Sequence, residues 1–101
     1  MGKIIAEVTV VPLGTATTSL SGFVAAAEKV LQKFPGLKSM LTPMSTILEG
    51  EMAEVLAAVQ AMHETPFQNG AQRVMTRFSI DDRRDKEITM AGKIAAVKSK
   101  L

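Results

Sequence analysis

Residues 37–50 read Leu-Lys-Ser-Met-Leu-Thr-Pro-Met-Ser-Thr-Ile-Leu-Glu-Gly. Segments 37–42 and 46–49 carry strand-type apolar residues on either side of Pro43, which predicts two short strands joined by a turn. One amphipathic helical pattern precedes this pair and another follows it. The predicted order around this segment is therefore helix, strand, strand, helix, and the segments at the two ends of the chain must fit that order.

The flanking segments supply the other elements. Residues 4–11 alternate between two faces and predict a strand that ends at Pro12. Helical spacing predicts a helix over about residues 19–33, capped by Thr17, Thr18 or Ser19. A second helix is predicted from about Glu51 to Asn69, kinked or loosened at Pro66. Residues 73–81 predict a fourth strand, and Thr89 is predicted to cap a last helix over residues 90–100.

The predicted order is βαββαβ followed by one helix. With right-handed crossovers this order gives an α+β, ferredoxin-like sandwich, in which two helices cover one face of an antiparallel sheet. The other face includes Ile5, Val11 and Met75 and is therefore half apolar. Such a face predicts self-association, as a dimer or a dimer of dimers.

Composition narrows the functional classes. The length of 101 residues predicts one domain over residues 1–101. A net charge of +2, with both signs mixed along the chain, is too weak for a nucleic-acid-binding arm. The chain has no cysteine, which excludes thiol catalysis and thiolate metal sites and fits a reducing cytoplasm. Residues 8–27 are uncharged, but Pro12, Gly14 and Gly22 argue against a membrane span, and no targeting segment is expected.

The hydroxyl-rich segment 42–49 is the first candidate site. Its Thr and Ser side chains and the carboxylate of Glu49 suit a small polar or cationic ligand, although they equally suit the edge of a strand pair. Glu7 and Glu49 both lie in apolar strand segments, so each requires a partner. That partner is either an arginine of the fourth strand, Arg73 or Arg77, or a cationic ligand.

Catalytic and metal sites are not predicted. His63 is the only histidine, and neighbours on a helix point about 100° apart, so Glu64 does not form a ready pair with it. We interpret His63 as a surface or interface residue. The hydroxyl groups of residues 15–21 suit helix capping, with or without contact to a ligand. The charged run 81–87 suits a solvated set of ion pairs.

Five blocks of the sequence together resemble a known family, the small thiamine-binding proteins of archaea and bacteria. The blocks cover the whole chain in order, and the second departs from the family pattern at Ser45, where glycine is usual. They are IAEVTVVPLGT at 5–15, LTPMSTILEG at 41–50, MHE at 62–64, GAQRV at 70–74 and IDDRRDK at 80–86.

This resemblance implies a ferredoxin-like fold, a homotetramer formed by pairing sheets, and binding of thiamine or its hydroxymethylpyrimidine moiety without catalysis or a cofactor. Motif position and chemistry then assign Glu49 to the amino group or the cation, and Met44 and Phe23 to apolar and cation–π contact with a ring. Further hydrogen bonds are assigned to Thr42, Ser45 and Thr46, and Ser19 is also expected to bind the ligand. The alternatives are a small enzyme acting on a related heterocycle, and a purely structural or regulatory oligomer.

Overall fold

The computed structural model describes residues 2–101 and contains four strands and three α-helices. The sheet is antiparallel throughout, in the order β2-β3-β1-β4, and the predicted ferredoxin-like fold with an extra C-terminal helix is confirmed. A short 3₁₀ turn, Leu31–Lys33, extends α1. The elements are β1 Lys3–Pro12, α1 Ser21–Val30, β2 Lys38–Leu41, β3 Thr46–Glu51, α2 Met52–Gln68, β4 Val74–Asp81 and α3 Met90–Lys98.

The alternation of β1 places its apolar residues against the helices, as predicted. Ile4, Ala6 and Val8 are buried on this inner face of the sheet, where Ala6 pairs with Leu48 of β3. Because successive strand residues point to opposite sides, the inner face of β3 carries Thr46, Leu48 and Gly50. Buried residues of α1 and α2 complete the core: Ala27, Val55, Ala58, Val59 and Met62.

The beginning of α1 differs from the prediction. The helix starts at Ser21, its N-cap residue is Leu20, and no side chain caps it, so the predicted cap by Thr17, Thr18 or Ser19 is wrong. Nearby hydroxyls instead bond to carbonyl groups of the loop, with Thr17 Oγ1 donating to the Ser19 carbonyl at 3.0 Å. Ser and Thr readily form such local bonds, which compete with capping. The predicted cap of α3 is confirmed, because Gly92 N–H donates to Thr89 Oγ1 at 2.9 Å.

Pro66 lies inside α2 and is fully buried. Proline has no N–H, so the Met62 carbonyl loses its usual helical partner. The Thr65 hydroxyl replaces that partner, donating to the Met62 carbonyl at 2.8 Å. The helix ends where predicted, since Gly70 adopts a positive φ of 97° and Ala71 N–H returns to the Pro66 carbonyl at 2.9 Å.

Thr65→Val should therefore destabilise the protein by about 1 kcal/mol, because the buried Met62 carbonyl loses its replacement donor while the volume of the side chain is kept. Chemical denaturation monitored by circular dichroism measures this loss. Thr18→Val is the matched control, since Thr18 is exposed in a loop. Equal unfolding midpoints for the two variants would show that the hydroxyl bond is not required.

The face of the sheet opposite the helices is called here the outer face, and it is half apolar as predicted. Val11 pairs with Met75 on it, and Met40 of β2 lies beside Ile47 of β3. Residues 82–101, called here the C-terminal arm, leave β4 and include α3. Ile5 and Ile88 are both buried although Ile5 faces away from the helices. The C-terminal arm therefore covers the end of the outer face at which Ile5 lies.

Candidate functional site

The turn between β2 and β3 is held by Thr42 and Ser45. Thr42 N–H donates to the Ser45 carbonyl at 2.8 Å, and the Thr42 hydroxyl accepts from Ser45 N–H at 3.0 Å. The same hydroxyl donates to the Ser45 carbonyl at 2.8 Å. These bonds occupy the Thr42 side chain, so it shapes the turn. Met44 lies at the tip of the turn and is 85% exposed.

Thr46 connects the start of β3 with α1. Its side chain is buried on the inner face, and its hydroxyl donates to Glu28 Oε2 at 3.1 Å. Sequence reasoning did not single out Glu28. The available signal was its position directly after Ala27, because a carboxylate beside the buried stripe of an amphipathic helix lies within reach of the sheet.

A cavity of about 110 Å³ opens between α1 and the turn of the β2–β3 hairpin, and we call it the hairpin cavity. Four of the seven residues predicted to bind a ligand line it: Thr42, Met44, Ser45 and Thr46. The Glu28 side chain supplies a carboxylate to its lining. The remaining walls are mainly apolar and are formed by Val8, Thr9, Val10, Val24, Ala27, Leu41, Pro43 and Met62.

Ser45 also reaches the outer face of the sheet. Its hydroxyl donates to Glu7 Oε2 at 2.9 Å. The predicted partners Arg73 and Arg77 are wrong for Glu7, since among residues 2–101 no cation lies within 4.0 Å of its carboxylate. Ser45 therefore links the rim of the hairpin cavity to a carboxylate on the opposite side of the sheet.

Glu49 lies away from the hairpin cavity. It pairs with Ile5 on the outer face, is only 3% exposed, and accepts Met90 N–H at 2.7 Å. Thr46 and Glu49 are three residues apart in one strand, and an odd separation places two side chains on opposite faces. The Glu49 carboxylate thus receives the first N–H of α3, where the helix dipole favours an anion. In the described part of the chain, residues 2–101, no arginine lies within 4.0 Å of the Glu49 carboxylate, so the predicted arginine partner is wrong for Glu49 as well.

Phe23 and Ser19 lie in another part of the molecule. Both line an open depression beside Thr17, Gly22 and Asn69, near the end of α2. The structure therefore brings four predicted residues together around the hairpin turn and leaves Glu49, Phe23 and Ser19 outside that group. Their part in ligand binding stays a prediction.

His63 is partly buried between α2 and β4. Its Nδ1 lies 2.7 Å from Thr76 Oγ1, and its ring meets the edge of Phe67 at a centroid separation of 5.5 Å. The adjacent depression is lined by Leu56, Val59, Gln60, His63, Thr76 and Phe78, without a carboxylate from the described residues 2–101. No group of three or more side chains suited to a metal ion occurs in that same range.

The charged run after β4 forms local ion pairs, as predicted. Arg83 Nε lies 2.6 Å from Asp85 Oδ1, and Arg84 Nη2 lies 2.8 Å from Asp82 Oδ2. Hydrogen bonds from these guanidinium groups lower the pKa of Asp82 and the pKa of Asp85. An open depression of about 370 Å³ here is lined by both signs of charge, so it gives no strong preference for an anion or a cation.

Comparison with known proteins gives the family of this chain. The sequence profile of the thiamine-binding protein family matches residues 6–98. The chain belongs to the thiamine-binding protein family. It is similar to the YqgV protein of Bacillus subtilis, with 47% identity over 100 residues that cover 96% of each chain.

Solved structures related to this thiamine-binding family protein share its fold. The crystal structure of the MJ1052 protein from Methanocaldococcus jannaschii is 39% identical, with a TM-score of 0.88 over 97% of this chain and 98% of that one. A protein of Thermotoga maritima has the same fold at 23% identity, with a TM-score of 0.76 over 94% and 98% of the two chains. Within residues 2–101, no helix is both long enough and apolar enough to cross a membrane.

Proposed function

We propose that the protein binds thiamine, or its hydroxymethylpyrimidine moiety, in the hairpin cavity without catalysing a reaction. Family membership supports the class of ligand. The observation that carries the choice of site is the Glu28 carboxylate, which meets the Thr46 hydroxyl in a cavity with mainly apolar walls. A few polar groups in an apolar pocket are typical of small-molecule sites.

The chemistry of thiamine suits these groups. Its aminopyrimidine ring offers an exocyclic amino donor and ring-nitrogen acceptors, and its thiazolium ring carries a positive charge. The Glu28 carboxylate accepts hydrogen bonds from an amino group and attracts a cation. Thr46 already donates its hydroxyl proton to Glu28, so its oxygen stays available as an acceptor for the ligand.

The size of the cavity sets how much of the ligand enters it. A cavity of roughly 150 Å³ holds a benzene ring, and the hairpin cavity is slightly smaller at about 110 Å³. One six-membered ring is therefore the largest group that fits with modest adjustment of the walls. The pyrimidine half enters, and the thiazolium half stays at the mouth beside Met44.

The proposed functional form is a cytoplasmic homotetramer, a dimer of dimers. The support for association is the outer face of the sheet. Met40 and Met75 are exposed there, and they lie beside two further apolar residues, Ile47 and Val11. Exposed apolar surface of this kind is stabilised when another copy covers it. The proposed partners are thiamine and further copies of this chain; nucleic acid and membranes are not among them.

Isothermal titration calorimetry with thiamine and with hydroxymethylpyrimidine tests the proposal. We expect saturable binding of one ligand per chain for both compounds, because the pyrimidine half makes the buried contacts. Absence of saturation at about 1 mM ligand would reject the proposal, because a Kd of about 1 mM corresponds to a binding free energy of only about 4 kcal/mol.

Two further results of that experiment identify the alternatives. Mass spectrometry of the recovered ligand detects turnover, and a converted heterocycle would show that the protein is an enzyme. A stable tetramer that binds neither compound would favour a structural or regulatory oligomer. Intact ligand after prolonged incubation, together with saturable heat, is the result expected here.

A further inference from the structure

Three residues that line the hairpin cavity carry hydroxyl groups whose protons are already bonded within the protein. The Thr42 hydroxyl donates to the Ser45 carbonyl at 2.8 Å, and the Ser45 hydroxyl donates to Glu7 Oε2 at 2.9 Å. The Thr46 hydroxyl donates to Glu28 Oε2 at 3.1 Å. A hydroxyl group has one proton and two lone pairs. Toward a ligand, these three side chains therefore act as hydrogen-bond acceptors.

Two carboxylates fix the direction of these bonds. An ionised carboxylate only accepts hydrogen bonds, so the proton in the bond to Glu7 belongs to Ser45. For the same reason, the proton in the bond to Glu28 belongs to Thr46. Turning either hydroxyl toward a ligand as a donor would break a bond to a charged group, which is stronger than a bond between neutral groups. The acceptor character of the cavity is therefore set by the protein itself.

The other side chains of the cavity add no hydrogen-bond donor. Within residues 2–101, its lining contains no lysine, arginine, histidine, asparagine or glutamine. Thr9 also lines the cavity, but alternation along β1 places its side chain on the outer face, where it pairs with Arg77. The side chains of the hairpin cavity therefore present oxygen acceptors and one negative charge, that of Glu28.

One oxygen of Glu28 is free to receive a ligand. Oε2 accepts from Thr46, whereas Oε1 accepts no hydrogen bond from residues 2–101, and no cation in that range lies within 4.0 Å of the carboxylate. Glu28 is half-buried beside apolar walls, where an unpaired polar oxygen is costly. A ligand N–H at this oxygen removes that cost, whereas a ligand carbonyl oxygen adds repulsion between two acceptors.

We infer that the hairpin cavity selects heterocycles with an exocyclic amino group and, through Glu28, discriminates against the same ring with an oxo group in that position. The two groups are nearly equal in size, so the volume of the cavity does not separate them. The amino group offers two N–H donors to the acceptors of the cavity, whereas the oxo oxygen meets only other acceptors. This inference rests on the proposed function and adds which form of the pyrimidine ring is accepted.

Calorimetric titration with thiamine and with oxythiamine tests the inference. Oxythiamine carries an oxo group in place of the exocyclic amino group and keeps the same thiazolium ring, so a difference in affinity reports on the edge of the pyrimidine. We expect thiamine to bind at least about tenfold more tightly, because oxythiamine loses a hydrogen bond to a charged group. Equal affinities, or tighter binding of oxythiamine, would overturn the inference and leave the proposed ligand class intact. Binding of neither compound would instead reject the proposed function and the inference with it.

The same pair of ligands on Glu28→Gln shows whether this carboxylate is the source of the preference. The glutamine amide has N–H donors as well as an oxygen, so it can bond to an oxo group as well as to an amino group. We expect the affinity ratio of the two ligands to fall at least about fivefold toward equality. The matched control is Glu64→Gln, exposed on α2, which should keep the wild-type ratio within about twofold. A wild-type ratio in Glu28→Gln would overturn the assignment to Glu28, and the wild-type titrations decide the selectivity without any substitution.

Discussion

Replacing Leu48 by alanine is expected to lower the free energy of unfolding by about 2–5 kcal/mol. Leu48 is 0% exposed and lies in the middle of β3, between Ala6 of β1 and Ser39 of β2. Removing three carbons here leaves a cavity whose walls are strand backbone and the core side of α2, and neither can easily close it. Because domains of this size are stable by only about 5–15 kcal/mol, the loss is a large fraction of the total.

Chemical denaturation measures this effect. All variants are compared at one fixed chain concentration, because the proposed self-association would make the apparent stability depend on concentration. Leu41→Ala is the matched control: Leu41 lies on the same side of the neighbouring strand but is 60% exposed. We expect the control to lose about 1 kcal/mol or less, since little apolar area returns to water. Similar losses for both leucines would mean that β3 is not the centre of the core.

The fold was predictable because its signals are local. Alternation in β1 assigned Ile4 and Val8 to the core directly, and the predicted stop after α2 matches the positive φ of Gly70. The start of α1 was less predictable, because several hydroxyls precede it and each can bond to a loop carbonyl instead. The exact residue at a helix end depends on such competing bonds.

The site was only partly predictable, for a different physical reason. Four residues of the hairpin cavity could be predicted to lie together because a turn brings sequence neighbours close to one another. Glu28 was missed because its contact with Thr46 joins residues 18 apart and depends on how α1 crosses the sheet. Glu49 was grouped with Thr46, whereas the odd spacing of the two residues in β3 places their side chains on opposite faces. This separation follows from the sequence once the phase of β3 is fixed.

Glu28→Gln is expected to weaken thiamine binding by about tenfold to a hundredfold, because a hydrogen bond to a charged group contributes about 1.5–3 kcal/mol. Glutamine keeps the size of the side chain and an oxygen that can accept from Thr46, so the hairpin cavity keeps its shape. Only the negative charge and one acceptor are lost. Calorimetry of the variant with thiamine measures the change.

Comparison of two ligands then shows what the carboxylate does. If Glu28 mainly offsets the thiazolium charge, thiamine loses more affinity than neutral hydroxymethylpyrimidine; if it bonds to the amino group, both lose the same factor. The cavity size favours the second result, since a volume of about 110 Å³ holds little more than one six-membered ring, and the proposal places the pyrimidine ring there.

Glu49→Gln and Glu64→Gln complete the comparison by making the same chemical change elsewhere. Glu49 is buried on the outer face and Glu64 is exposed on α2, so neither substitution should change the thiamine affinity by more than about twofold. A tenfold loss in Glu49→Gln with none in Glu28→Gln would restore the assignment made from the sequence. It would also move the ligand to the outer face, where the start of α3 would have to make room for it.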